Sequence, residues 1–149
     1  MEKEKNGYSD TVRLLRECNA GIKMGEDAIK ALLPYARDAE MKRALEVCKD
    51  THATLGDETH KMLLRFGAET KDAHPVARMM SNAKIKMRMM MNGSDSEIAA
   101  LMTDGCDMGI KSLTKYLNEY KGAAKDARSL ASRLIASEEY LEESMRAYL

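Results

Sequence analysis

Apolar side chains in this chain recur in alternating steps of three and four residues, and they do so in four separate stretches. That spacing draws one narrow apolar seam along a helix and is incompatible with the two-residue alternation of a half-buried strand. The first stretch carries Leu15, Cys18, Ile22, Gly25, Ile29 and Leu32, and the second Met41, Leu45, Cys48, His52, Leu55, Thr59, Met62 and Phe66. Ala99, Thr103, Cys106, Ile110, Leu113, Leu117 and Tyr120 form the third, and Ala127, Leu130, Leu134, Ser137, Leu141, Ser144 and Tyr148 the fourth. A single seam cannot be buried by its own helix, so four of them predict one all-α four-helix bundle. The length of 149 residues suits a single domain spanning the whole chain.

Helix-breaking residues divide the sequence consistently with this. The first helix is expected from about Ser9 to Leu33, before Pro34, with residues 1–8 as a disordered tail; the second runs from the N-cap Asp38 to near Gly67. Their short connection makes an antiparallel hairpin. His74-Pro75 places proline at a favoured first helical position and opens a shorter helix to about Met91, which Asn92-Gly93 stops. Ser94-x-x-Glu97 reads as a capping box for a helix reaching Tyr120, and a last helix runs from about Ala124 to the end. The architecture is thus two hairpins joined by a helical crossover over residues 68–93. A hexapeptide of the form C-x-x-G-I-K occurs at Cys18 and again at Cys106, 88 residues later, which suggests that one hairpin duplicates the other.

The Gly21-Ile22-Lys23 and Gly109-Ile110-Lys111 segments, the end of the second helix at Phe66-Gly67-Ala68, and Asn92-Gly93-Ser94-Asp95 occur in an order and at separations that resemble a bacterial ferritin-like family of unknown function. The resemblance covers roughly residues 11–149. It implies a ferritin-like bundle in which the long crossover makes the third long helix parallel to the second. In ferritin-like metal proteins each hairpin supplies a glutamate from its first helix and a Glu-x-x-His motif from its second. This chain departs from that pattern: Ile22 and Ile110 stand where family members commonly carry glutamate, Thr51-x-x-Thr54 replaces the motif in the second helix, and the last helix offers Ser137-Glu138-Glu139-Tyr140. Isoleucine has no donor, and two iron ions need several carboxylates. An intact di-iron site is therefore not expected. Ile22 and Ile110 are expected to face one another in an apolar layer at mid-bundle, with His52 beside them.

His52 occupies a seam position at that level. Its weak candidate companions in a metal site are Glu138 and Cys48, with iron or another transition metal as the alternative to no cofactor. The stronger expectation is a core histidine hydrogen-bonded to Thr51, Ser137 or Glu138, because a buried polar group needs a partner. On that view leucine at position 52 leaves the fold intact. Asp57-x-x-His60 has suitable i, i+3 spacing but lies on the outer face, and His74 belongs to the start of the crossover helix. Neither a nucleophile with its base nor a phosphate-binding loop is recognisable.

Composition sharpens the exclusions. Twenty-four acidic and 24 basic residues give no global field to attract nucleic acid. The N-terminal run lacks the apolar core of a signal peptide and nothing resembles a membrane span, so a cytoplasmic location is expected and membrane association is not. Three cysteines without metal-type spacing are expected to be reduced and buried. The segment from Met79 to Met91 holds six of the thirteen methionines. On a helix, Val76, Met79, Met80, Ala83, Met87, Met90 and Met91 share a face, which suits docking against the bundle, whereas Ile85 and Met89 fall off it and are expected to contact a second subunit. The chain thus reads as a homodimeric, non-catalytic interaction or assembly module, whose methionine-rich crossover helix offers a surface to a protein partner as well, with a metal-binding or oxidant-handling protein as the alternative.

Overall fold

The computed structural model describes residues 2–70 and 75–149. Among them are five α-helices and no strand: α1 Glu2–Leu32, α2 Ala39–Arg65, α3 Pro75–Met91, α4 Asp95–Glu119 and α5 Lys125–Arg146. His74 lies outside the described residues. None of the helices in the described part is long and apolar enough to cross a membrane.

Helix boundaries follow the expected capping chemistry. Asp38 accepts from the Met41 N–H at 3.0 Å, and Ser94 accepts from the Glu97 N–H at 3.2 Å, so each satisfies a donor that a helix N-terminus leaves open. At the C-terminus of α4 the Arg128 guanidinium donates to the carbonyls of Leu117 and Tyr120 at 3.0 and 3.2 Å. The N-terminal expectation needs correction, because helix rather than a tail begins at Glu2. The reason lies in α1's contacts with the opposite end of the chain. The Gly122 N–H donates to Asp10, the Ala124 N–H donates to Thr11, and the Tyr8 hydroxyl donates to the Phe66 carbonyl at 2.7 Å, so the second and third turns of α1 are tied to the rest of the fold.

These contacts also fix the helix directions. The start of α1 meets the α4–α5 turn and the end of α2, whereas Asp95 at the start of α4 accepts from the Arg37 and Asp38 N–H groups beside the α1–α2 turn. The Tyr148 hydroxyl reaches Asp38 at 2.6 Å, bringing the end of α5 there as well. Helices α2 and α4 therefore run one way and α1 and α5 the other, with α3 returning along the side. An Arg78–Asp27 ion pair of 2.7 Å ties α3 to α1, and Arg88–Glu97 at 3.2 Å ties it to α4.

The interior consists of two apolar clusters. One contains Leu15, Cys18, Ile22, Leu55, Leu113, Leu130 and Leu134; the other contains Ile29, Leu45, Cys48, Cys106, Leu141 and, from α3, Ile85 and Met89. Every seam residue of α2 up to Met62 is buried. In α5 the inward residues include Glu138 and Met145, while Ser137 and Ser144 are half-buried.

Candidate functional site

What separates the two clusters is a polar layer to which each of the four long helices contributes one position: Gly25 of α1, His52 of α2, Gly109 of α4 and Glu138 of α5. In each helix the layer residue lies between members of the two clusters, as His52 lies between Cys48 and Leu55. The expected layer of Ile22 opposite Ile110 is corrected accordingly. Ile22 is buried one turn away in the first cluster, and Ile110 is half-buried and belongs to neither. The hexapeptide repeat is out of register with this layer, because Gly109 reaches it whereas Gly21 precedes Gly25 by four residues and has open space around it.

His52 is fully buried, and both ring nitrogens are engaged. Nδ1 lies 2.9 Å from the Cys48 carbonyl, which can only accept, so Nδ1 carries a proton. Nε2 lies 2.8 Å from Oε1 of Glu138, and that contact also requires a proton between its atoms. An imidazolium beside a carboxylate meets both demands. Burial alone drives His52 toward the neutral ring; the hydrogen bonds to Cys48 and Glu138 act in the opposite sense and prevail, holding its pKa up at about 10. Glu138 is 9% exposed, so the ion pair is almost entirely removed from water.

Two thiols and a hydroxyl surround the pair. Cys48 Sγ is 3.5 Å from His52 Nδ1 and 3.6 Å from Ser137 Oγ. Burial first, and then the nearby Glu138 carboxylate, pushes the Cys106 thiol well above its ordinary range, so it stays protonated. All three cysteines are free and buried. The sequence candidates His52, Glu138 and Cys48 thus do come together, and the histidine's partner is Glu138; Thr51 instead donates to its own helix at Val47. Yet neither ring nitrogen of His52 presents a free lone pair. Among the described residues no group of three or more His, Cys, Asp or Glu is placed to hold a metal ion. His60 and Asp57 lie on the outer face, where His60 pairs with Thr70 at 2.6 Å.

Cys106 and Gly25 were seam positions in the sequence and Gly109 was not, the third seam being drawn through Ile110 instead, and the part of all three in the polar layer was not evident there. Glycine at a core-facing helical position is the signal that could have found it, since it leaves room for a bulkier neighbour.

The second candidate surface is α3, and here the expected orientation is reversed. Ile85 and Met89, assigned to a subunit contact, are 8% and 3% exposed and pack into the second cluster. The methionine stripe faces out: Met79, Met80, Met87, Met90 and Met91 are between 64% and 83% exposed. The inward row is Arg78, Asn82, Ile85 and Met89, spaced 4, 3 and 4 residues apart. It wins because Arg78 and Arg88 find Asp27 and Glu97 on the bundle, and two large apolar residues fill the space between α1 and α4. Comparison with known families, with curated proteins and with solved structures yields no match.

Proposed function

We propose that this chain is a non-catalytic, ferritin-like four-helix bundle that serves as an assembly module and pairs with a second copy of itself through the outer face of α3. The helix directions and the side crossover support the ferritin-like assignment. His52 and Glu138 neutralise each other where such bundles otherwise gather metal ligands, which supports a structural rather than catalytic centre.

The observation that carries the association is the outward methionine stripe. Five large apolar side chains on one helix make a contiguous exposed patch, and such patches mark interfaces. The occupant follows from the stripe's internal symmetry. Reversed about Ile85, position 79 exchanges with 91, 80 with 90 and 83 with 87. Two antiparallel copies therefore set Met79 and Met80 of one against Met91 and Met90 of the other, with Met87 facing the small Ala83. That is the self-complementarity a two-fold interface requires. Methionine's flexible thioether suits a surface that must pack against its own kind.

Light scattering on the purified chain should give twice the 16.7 kDa monomer mass. A Met87→Glu, Met90→Glu variant, which leaves the inward row untouched, should return it to one. A monomeric wild-type chain at ~100 μM, weaker than most functional homodimers, would sink the proposal.

A further inference from the structure

Between the first turns of α1 and the turn that ends α2 lies a cleft of about 480 Å³, inside the range of small-molecule sites. Gly67, at φ 66°, supplies the left-handed residue that closes α2; its N–H and that of Ala68 bond back to Leu64 and Leu63, each at 2.9 Å. This reversal lays Ala68 and Glu69 alongside α1. The floor is apolar, with Val12 and Ala68 buried and the Tyr8 ring tilted on Phe66 at 6.0 Å between centroids. One wall is cationic, because Arg13 and Arg16 stand one turn apart on the same side of α1, with the Ser9 hydroxyl a turn earlier. Within this wall the Nε of Arg16 is buried and has no hydrogen-bond partner among the described residues. A buried guanidinium N–H without an acceptor is costly, and a turn of the Arg16 side chain toward the cleft would relieve that cost by bringing it an acceptor from outside the chain.

We infer that this cleft binds a phosphate monoester, its dianion held by Arg13 and Arg16 and its ester group resting on the floor of Val12, Ala68 and Tyr8. Two guanidiniums match a dianion better than they match one carboxylate, and a tetrahedral oxyanion offers acceptors to both forks at once. Glu69 is the single acid among the described lining residues and works against binding.

The test is a titration of the full chain with phenyl phosphate, inorganic phosphate and benzoate, followed through the backbone amide signals of residues 8–16 and 67–69. Phenyl phosphate should bind tightest and benzoate weakest. Arg13→Gln and Arg16→Gln should each weaken phenyl phosphate about tenfold, the scale of one charge-assisted hydrogen bond, while Arg37→Gln at the far end changes nothing. Glu69→Gln should tighten it. Should Arg16→Gln fail to fold, Arg16→Lys keeps the charge but has no Nε donor and should show the same loss. Absence of cleft shifts with phenyl phosphate, unchanged affinity in the Arg16 variants, or benzoate binding as tightly as phenyl phosphate would each overturn the inference.

Discussion

A methyl group on Gly25 would stand 2.7 Å from Nε2 of His52 and 2.8 Å from its Cδ2, so the two residues share a space that only glycine leaves open. The imidazole cannot retreat, since Nδ1 is held by the Cys48 carbonyl and Nε2 by Glu138. Helix propensity alone favours alanine over glycine by about 1 kcal/mol in a helix interior. At Gly105, where an added Cβ meets nothing within 4 Å, Gly105→Ala should stabilise the protein by about that amount. Gly25→Ala should instead destabilise it by about 1–3 kcal/mol, because overpacking outweighs the propensity gain. Urea unfolding of both variants checks the pair, and equal stabilisation by the two would remove the steric argument.

The His52–Glu138 pair calls for a double-mutant cycle. The sequence alone makes leucine at position 52 look harmless, but that substitution leaves the Glu138 carboxylate buried with its partner gone. Either His52→Leu or Glu138→Leu alone should cost about 3 kcal/mol. The double variant should lie within about 1 kcal/mol of the wild type or above it, since a buried ion pair replaced by apolar residues is often neutral or stabilising. Additive losses would show that the two side chains do not act as a pair.

Alkaline pH should weaken the fold through the same histidine. Its folded pKa of about 10 lies above the ordinary 6.5, so its contribution is complete below pH 6.5 and is lost as pH rises through 10. Deprotonation leaves the carboxylate facing a lone pair. The stability difference between the wild type and the His52→Leu, Glu138→Leu variant should therefore shift against the wild type across that window, as read by denaturant unfolding. A difference independent of pH between 6.5 and 10 would mean that His52 is neutral in the fold.

Much of this architecture is legible in the sequence because a seam is a local, periodic property: Met41, Leu45, Cys48, His52, Leu55, Thr59 and Met62 are all buried as their spacing requires. The polar layer was only half legible. His52 and Glu138 were individually visible, yet their pairing depends on the rotation of α5, and a seam drawn through Ser137 instead of Glu138 differs by only 100° on the helix. The orientation of α3 was not legible at all, because amphipathicity says which residues are alike, not which of two faces meets the bundle. Burial of Ile85 and Met89 goes with the capture of Arg78 by Asp27, 51 residues earlier in α1, and of Arg88 by Glu97 at the start of α4. Arg16 offered no sequence signal, since its buried Nε depends on the turn at Gly67 folding back across α1.

The charges beside the methionine stripe allow the proposed dimer to be distinguished from docking of an acidic partner. Helix α3 carries Arg78, Lys84, Lys86 and Arg88 and no acid, and Arg78 and Arg88 are already paired with the bundle. The two-fold keeps each flank of the stripe on its own side, so it brings Lys84 toward Lys84 of the other copy on one flank and Lys86 toward Lys86 on the other. This repulsion between exposed like charges amounts to under about 1 kcal/mol per pair and is screened over about 8–10 Å at physiological ionic strength, so methionine burial prevails. Added salt should therefore tighten the dimer by roughly threefold between low and high ionic strength, whereas attraction to an acid-rimmed partner would weaken. A Lys84→Glu, Lys86→Glu variant mixed with the wild-type chain should form a heterodimer in which both contacts are attractive, tighter at low salt than either homodimer and opposite in the sign of its salt dependence. Sedimentation equilibrium at two salt concentrations measures both effects, and a wild-type dimer that dissociates as salt is added would rule out antiparallel pairing of α3.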